Sequence, residues 1–380
     1  MNRLSALATA LVATSCTRPN PAFNDDSSVA EGTTTGSVAD GMDTERPSLD
    51  SSTGDSLPNA STTVEPESTT SGLLPGESVD SSGTEGGDES SDSGEPQTSC
   101  GNGIHEQLEQ CDDGNEQLDD GCLPDCTLAL SCQHIIEFDP AVASGAHVID
   151  PDGAGGQDAF AVYCDMETDE GGWTLAARFS NADETHWMLD SGEWWYVTET
   201  ESGQPTSRDA NEDLLSAAFW SVPAQEFKLT RSDNPDDAFL LRTIDDCLGG
   251  DTFREHITSY GNFQNGALWG SNTVAGSCDV DLGNNYANTE GFGQATCELA
   301  DIGGPFSISF WAAWGSGDGA VMMIGGGGEH CSRADHGLGT TSVNQASFDS
   351  GPNMLEERDF AENTENTVVN PNYALNLFVR

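Results

Sequence analysis

The clearest pattern in the chain is the alternation of apolar and polar positions from Phe160 onward. Phe160, Val162 and Cys164 alternate with Ala161, Tyr163 and Asp165, the period of two that marks a half-buried strand. The acidic, glycine-rich run Thr168–Gly172 reads as a turn, and Trp173, Leu175 and Ala177 open a second strand. The same signal recurs at Phe227 and Leu229, at Phe239–Ile244, and most clearly at Phe306, Ile308, Phe310 and Ala312. It returns at Tyr373, Leu375, Leu377 and Val379. Ser144–Gly153 reads as a strand followed by a turn. One segment has helical spacing instead: Leu214, Leu215, Ala218 and Phe219 predict the main helix over Asp209–Trp220, with Pro223 beyond its end. Long Gly/Asn/Asp loops separate these elements and need a staple or a ligand to order them. The expectation is an α+β domain with a modest antiparallel sheet and long irregular loops over residues 132–380, about 250 residues that can bury a real core.

The pattern is different before Cys132. Arg3 followed by the short apolar run Leu4–Ala13 is a secretory leader, too short to span a membrane. Residues 17–99 are rich in Ser, Thr, Asp, Glu, Gly and Pro, and Phe23 is their sole aromatic residue. Such a segment cannot offset its ordering entropy by burial, so it reads as a disordered acidic tether. About 80 flexible residues reach on the order of 50 Å end to end. Residues 100–131 hold Cys100, Cys111, Cys122 and Cys126 among acidic and glycine residues. About 30 residues hold little core, so disulfides must hold this module together, and four cysteines allow three connectivities. An EF-hand counted from Asp113 puts Pro124 where the closing carboxylate belongs, which excludes that calcium loop.

Charge and cysteine content bound the function. The 380 residues carry 12 Lys+Arg against 65 Asp+Glu, a formal charge of −53. That balance excludes a nucleic-acid partner and favours solubility and cation binding. Of 11 cysteines, Cys16 belongs to the leader; the remaining even set fits disulfides in an exported protein.

Several strings resemble known families. Ala13-Thr-Ser-Cys16 is similar to a bacterial lipobox, which implies lipidation of Cys16 and anchoring to a membrane. Thr17 in place of Asp implies the outer membrane or cell surface as the destination. Residues 100–126 resemble the short cysteine-rich repeats of exported myxobacterial proteins. Cys164-Asp-Met-Glu-Thr-Asp-Glu-Gly-Gly-Trp-Thr-Leu175 resembles the opening of fibrinogen-related C-terminal domains, in which Cys132 would be the partner of Cys164. Phe219-Trp-Ser-Val-Pro223, Met323-Ile324 followed by Gly325–Gly328, and Ala374–Arg380 narrow the resemblance to intelectins, across residues 132–380.

That resemblance implies a lectin-like, calcium-assisted domain binding glycans or other surface ligands. It places calcium at Asn181, Asp183 and Glu184, after the Trp173 strand, and at Asp349. It also places a His-Cys pair before the glycines, whose His helps hold the sugar-gripping calcium, where this chain has Met322 and Met323. Any ligand would therefore be held differently, by the loop carrying Glu329, His330 and His336. Trp311 and Trp314 offer faces on which a sugar could stack, but core packing is the favoured reading for both. Among the later cysteines, order alone pairs Cys247 with Cys278 and Cys297 with Cys331. A structural or adhesive surface protein without a small-ligand site is the alternative, favoured by the two methionines. An enzyme is not expected. The sequence shows no complete triad, zinc motif or paired catalytic carboxylates, and Gly325–Gly328 lacks the Lys-Ser/Thr of a phosphate cradle.

Overall fold

The structure is a computed structural model. It describes residues 99–183, 187–189, 191–270, 272–292, 306–313, 319–324, 334, 336–341, 346–348, 357–362 and 371–380. The chain divides into two units, Met1–Asp88 and Glu89–Arg380, and all described residues belong to the second. The leader with Cys16 and most of the tether lie outside the described residues.

The dominant element is one antiparallel sheet rather than a balanced α+β assembly, which corrects the modest sheet expected from sequence. Its strands are β1 (Gly145–Ile149), β2 (Phe160–Asp165), β3 (Trp173–Phe179), β4 (Leu214–Leu215), β5 (Phe227–Arg231) and β6 (Phe239–Thr243). They continue as β7 (Gly276–Leu282), β8 (Phe306–Ala313), β9 (Gly319–Ile324), β10 (Gly337–Thr341), β11 (Arg358–Ala361) and β12 (Leu375–Val379). Among the described residues the order is β1-β2-β3-β12-β5-β6-β7-β8-β9-β10-β11, with β4 beside β3.

Helices are short: α1 (Cys132–Phe138), α2 (Glu193–Tyr196), α3 (Ala218–Ser221) and α4 (Phe253–Thr258). The expected helix over Asp209–Trp220 is instead β4 followed by the single turn of α3. Leu214 and Leu215 pair with Arg178 and Ala177 of β3, so tertiary pairing overrides the local spacing. α4 was not legible from periodicity, but its start has a full capping box. Thr252 Oγ1 accepts from Glu255 N at 3.1 Å, and Glu255 Oε2 accepts from Thr252 N at 3.0 Å. Thr252→Ala is expected to cost about 1 kcal/mol, read as a lower urea midpoint at unchanged slope.

Central strands are covered on both faces. Every residue of β3, β9 and β12 is buried, including Arg178 and Asn376, whose side chains meet at 2.8 Å. Trp173 has no exposed surface, and the rings of Phe179, Trp187, Trp195, Phe219 and Trp311 form a continuous aromatic core.

The Cys132–Cys164 cystine joins α1 to β2, and Cys247–Cys278 ties the chain after β6 to β7. The cysteine module takes the pairing Cys100–Cys126 and Cys111–Cys122. It joins β1 through Val148 N to Asp119 O at 2.9 Å and Asp150 N to Ala129 O at 2.7 Å. Its Asp112 carboxylate accepts from Asn102, Gly103 and Gly114 backbone N–H groups, so that acid organises its own loop. Cys297 and Cys331 lie outside the described residues.

Candidate functional site

Where β3 ends, Ser180–Asp183 turns toward two distant parts of the chain. Asn181 is buried, and its amide bridges to β11, donating from Nδ2 to Phe360 O at 2.7 Å. Its Oδ1 accepts from Asp359 N at 3.0 Å. Asp213, just before β4, is held from both sides: its Oδ1 accepts from Ser180 N at 2.8 Å, and its backbone N donates to Asp183 Oδ2 at 2.7 Å. These bonds gather three carboxylates. Oxygens of Asp183, Asp213 and Asp359 all lie within 4.8 Å of one another, with Asp183 exposed and the other two buried.

Asp359 is the unusual member. It has no exposed surface, and neither carboxylate oxygen has a hydrogen-bond donor among the described residues. The group facing it is the Asp213 carboxyl, itself an acceptor unless protonated. Burial, and then the charges of Asp213, Asp183 and the nearby Glu357, push the Asp359 carboxyl well above its ordinary range. Such an arrangement calls for a shared proton or a cation between the acids. Hard oxygen donors are the ligand set calcium takes, and exposed Asp183 leaves a side open for water to complete its six to eight oxygens. The residues present therefore fit calcium, with Asp183, Asp213 and Asp359 as holders.

Of the residues placed at calcium from sequence, Asp183 sits in this cluster. Asn181 adjoins it and spends its amide on fixing β11. Glu184 and Asp349 lie outside the described residues. Asp213 and Asp359 were missed; the available signal was an acid inside an otherwise inward-facing strand, Arg358-Asp-Phe-Ala361.

For the ligand loop, Glu329 and His330 lie outside the described residues. His336 is fully buried, and its Nε2 meets Tyr286 Oη at 3.2 Å, so it presents no surface to a ligand in this structure. Burial also depresses its pKa, to about 4, which keeps the imidazole neutral. Met322 and Met323 are core residues of β9, and Met322 pairs across the sheet with Phe310 and Leu338. Trp311 is buried, stacked on Tyr196, and donates from Nε1 to Ile257 O at 2.6 Å, which leaves no face for a sugar. Trp314 lies outside the described residues.

The sheet and cystines thus define a mainly β, disulfide-bonded domain of the extracellular type. A family model for the fibrillar collagen C-terminal domain matches residues 106–219, a span that runs from the cysteine module through β4 to the start of α3 and includes Asn181, Asp183 and Asp213. Comparison with curated proteins gave no match. No helix among the described residues is long and apolar enough to cross a membrane.

Proposed function

We propose that the chain is an exported, tethered adhesion protein whose globular head is ordered by calcium and binds surface ligands, glycans among them, through its loops. The observation that carries this reading is Asp359: a wholly buried carboxylate without a donor among the described residues, opposite Asp213 and Asp183. Calcium there would join the end of β3 to β4 and β11, segments far apart in sequence, and fix the chain between them. The partial match to a collagen C-terminal domain supports an extracellular assembly or adhesion role. Lipidation at Cys16 would hold the head off a membrane on its acidic tether.

A second reading has a specific observation in its favour. Met322 and Met323 are packed in the sheet, where intelectin-like sugar binding would need calcium ligands. On that reading the head is adhesive or structural and has no small-ligand site.

Binding of the purified exported chain to a glycan array and to intact cells, each with calcium and with chelator, separates the two. The first reading expects array and cell binding that both vanish with chelator. Cell binding with a blank array selects the second. Loss of neither on chelation refutes the calcium-ordered head. In the same cells, Cys16→Ser is expected to move the protein from the membrane to the soluble fraction.

A further inference from the structure

A second buried charge cluster lies away from the carboxylate trio, under the turn that joins β2 to β3. Lys228 of β5 has no exposed side-chain surface, and its Nζ lies 2.6 Å from Asp165 Oδ2. The rings of Trp173 and Phe378 enclose it, with centroids 4.9 and 5.4 Å from Nζ. A third group completes the arrangement: Asp169 Oδ2 is 3.6 Å from the same nitrogen and has no hydrogen-bond donor among the described residues, while its Oδ1 lies 3.7 Å from Arg242 Nη1. The turn is built to place it there. Asp169 and Glu170 adopt left-handed backbone angles, and Gly171 and Gly172 follow at positive φ. A side chain at Gly171 would strike the Met166 carbonyl and Ile136. Arg380 latches the turn by donating to the carbonyls of Asp169 and Gly171.

We infer that Lys228 and Asp165 condense to an intramolecular amide, a covalent bridge between β5 and β2 formed by the folded chain itself. The Asp165 carboxyl is posed for acyl transfer. Its Oδ1 accepts from the backbone N–H groups of Glu167 and Thr168, both at 3.1 Å, a pair able to stabilise an oxyanion. Its Oδ2, the leaving oxygen, meets Thr168 Oγ1 and Lys228 Nζ.

Asp169 takes a proton from the ammonium and passes it to Oδ2. The free amine attacks Asp165 Cγ, and the negative charge falls on Oδ1. The new nitrogen gives up its second proton by the same route, the carbon–oxygen bond breaks, and Oδ2 departs as water past Asp169, whose side chain is 17% exposed. One ammonium and one carboxylate become one amide and one water, with no oxidant or co-reactant. The nearby Asp237 is not the proton carrier, because its carboxylate already accepts from Arg208 and Tyr163.

The driving force is physical. A dry, aromatic-walled site penalises both charges of the ion pair, and condensation removes both. Proximity in a rigid core supplies the rest, since the reacting groups are already in contact. The proposal stands independently of calcium and of any ligand.

Peptide mapping of the reduced, alkylated full chain tests it. The expected result is a branched peptide joining the Asp165 and Lys228 segments, lighter than their sum by one water, with no tryptic cleavage after Lys228. Lys228→Arg keeps the cation and should abolish the branch. Asp165→Asn should restore the identical branched mass by losing ammonia instead of water, which a simple ion pair cannot do. Quantitative recovery of linear peptides cleaved after Lys228 from the wild-type chain overturns the proposal, whether or not any variant folds.

Discussion

Calcium added to the metal-free chain is expected to raise its melting temperature by roughly 5 to 10 °C. A ligand at a hundredfold of its dissociation constant stabilises the native state by about 2.7 kcal/mol, and a domain of this size shifts by about 2–4 °C per kcal/mol. The effect should fall on Asp359, where burial and like charge meet. Asp359→Asn gives the sharper test because its two arms have opposite signs. Without metal, the variant should melt above wild type at neutral pH, since the amide is uncharged without having to take up a proton beside Asp213 and Asp183. With calcium, its gain should disappear. Scanning calorimetry of both proteins in calcium and in chelator reads all four values. A wild type indifferent to calcium, or a variant destabilised in chelator, would show that Asp359 is neutralised by a proton alone.

Trp173→Ala is expected to cost about 3–5 kcal/mol, the usual range for emptying a large aromatic site. The ring has no exposed surface, donates from Nε1 to Asp169 O at 3.3 Å, and lies beneath the Lys228 side chain and the Arg380 guanidinium, the latter 4.2 Å from its centroid. Removing it therefore opens a cavity and uncovers the guanidinium that its π face now screens. Trp173→Phe keeps a ring under Arg380 and loses the indole hydrogen bond, so about 1 kcal/mol is expected. Urea unfolding with disulfides intact separates the two variants. Equal losses from Phe and Ala would mean that the turn hydrogen bond, not the ring, matters most.

The sequence was most legible where one face of a strand differs from the other, or where a string was long enough to carry a family resemblance. β2, β5, β6 and β8 fall where alternation put them, and Cys132–Cys164 forms as the fibrinogen-related resemblance implied. β9, β10 and β11 were missed because their residues do not alternate in polarity; Gly319–Ile324 is apolar throughout, and Gly337–Thr341 reads as a glycine-rich loop. The helix assigned to Asp209–Trp220 failed for a related reason, since the doublets Leu214-Leu215 and Ala218-Phe219 suit either period. The candidate site divides the same way. Asp183 was singled out only through the intelectin resemblance, which places calcium after the Trp173 strand. Asp213 reaches it through the pairing of β4 with β3, and Asp359 through the hydrogen bonds of Asn181 to β11, long-range contacts that no local window contains.

The placement of β12 has a consequence for biogenesis. It lies between β3 and β5, so among the described strands it alone joins β1–β4 to β5–β11. Its contacts with β3 span nearly two hundred residues, as in the Arg178–Asn376 bond at a separation of 198. A nascent chain that has released everything through β11 still has two half-sheets with unpaired margins. Closure waits for residues 375–379, a pairing of high sequence separation whose loop-closure entropy slows it relative to local pairings. The same delay leaves both margins open to mispairing with neighbouring chains until that strand inserts.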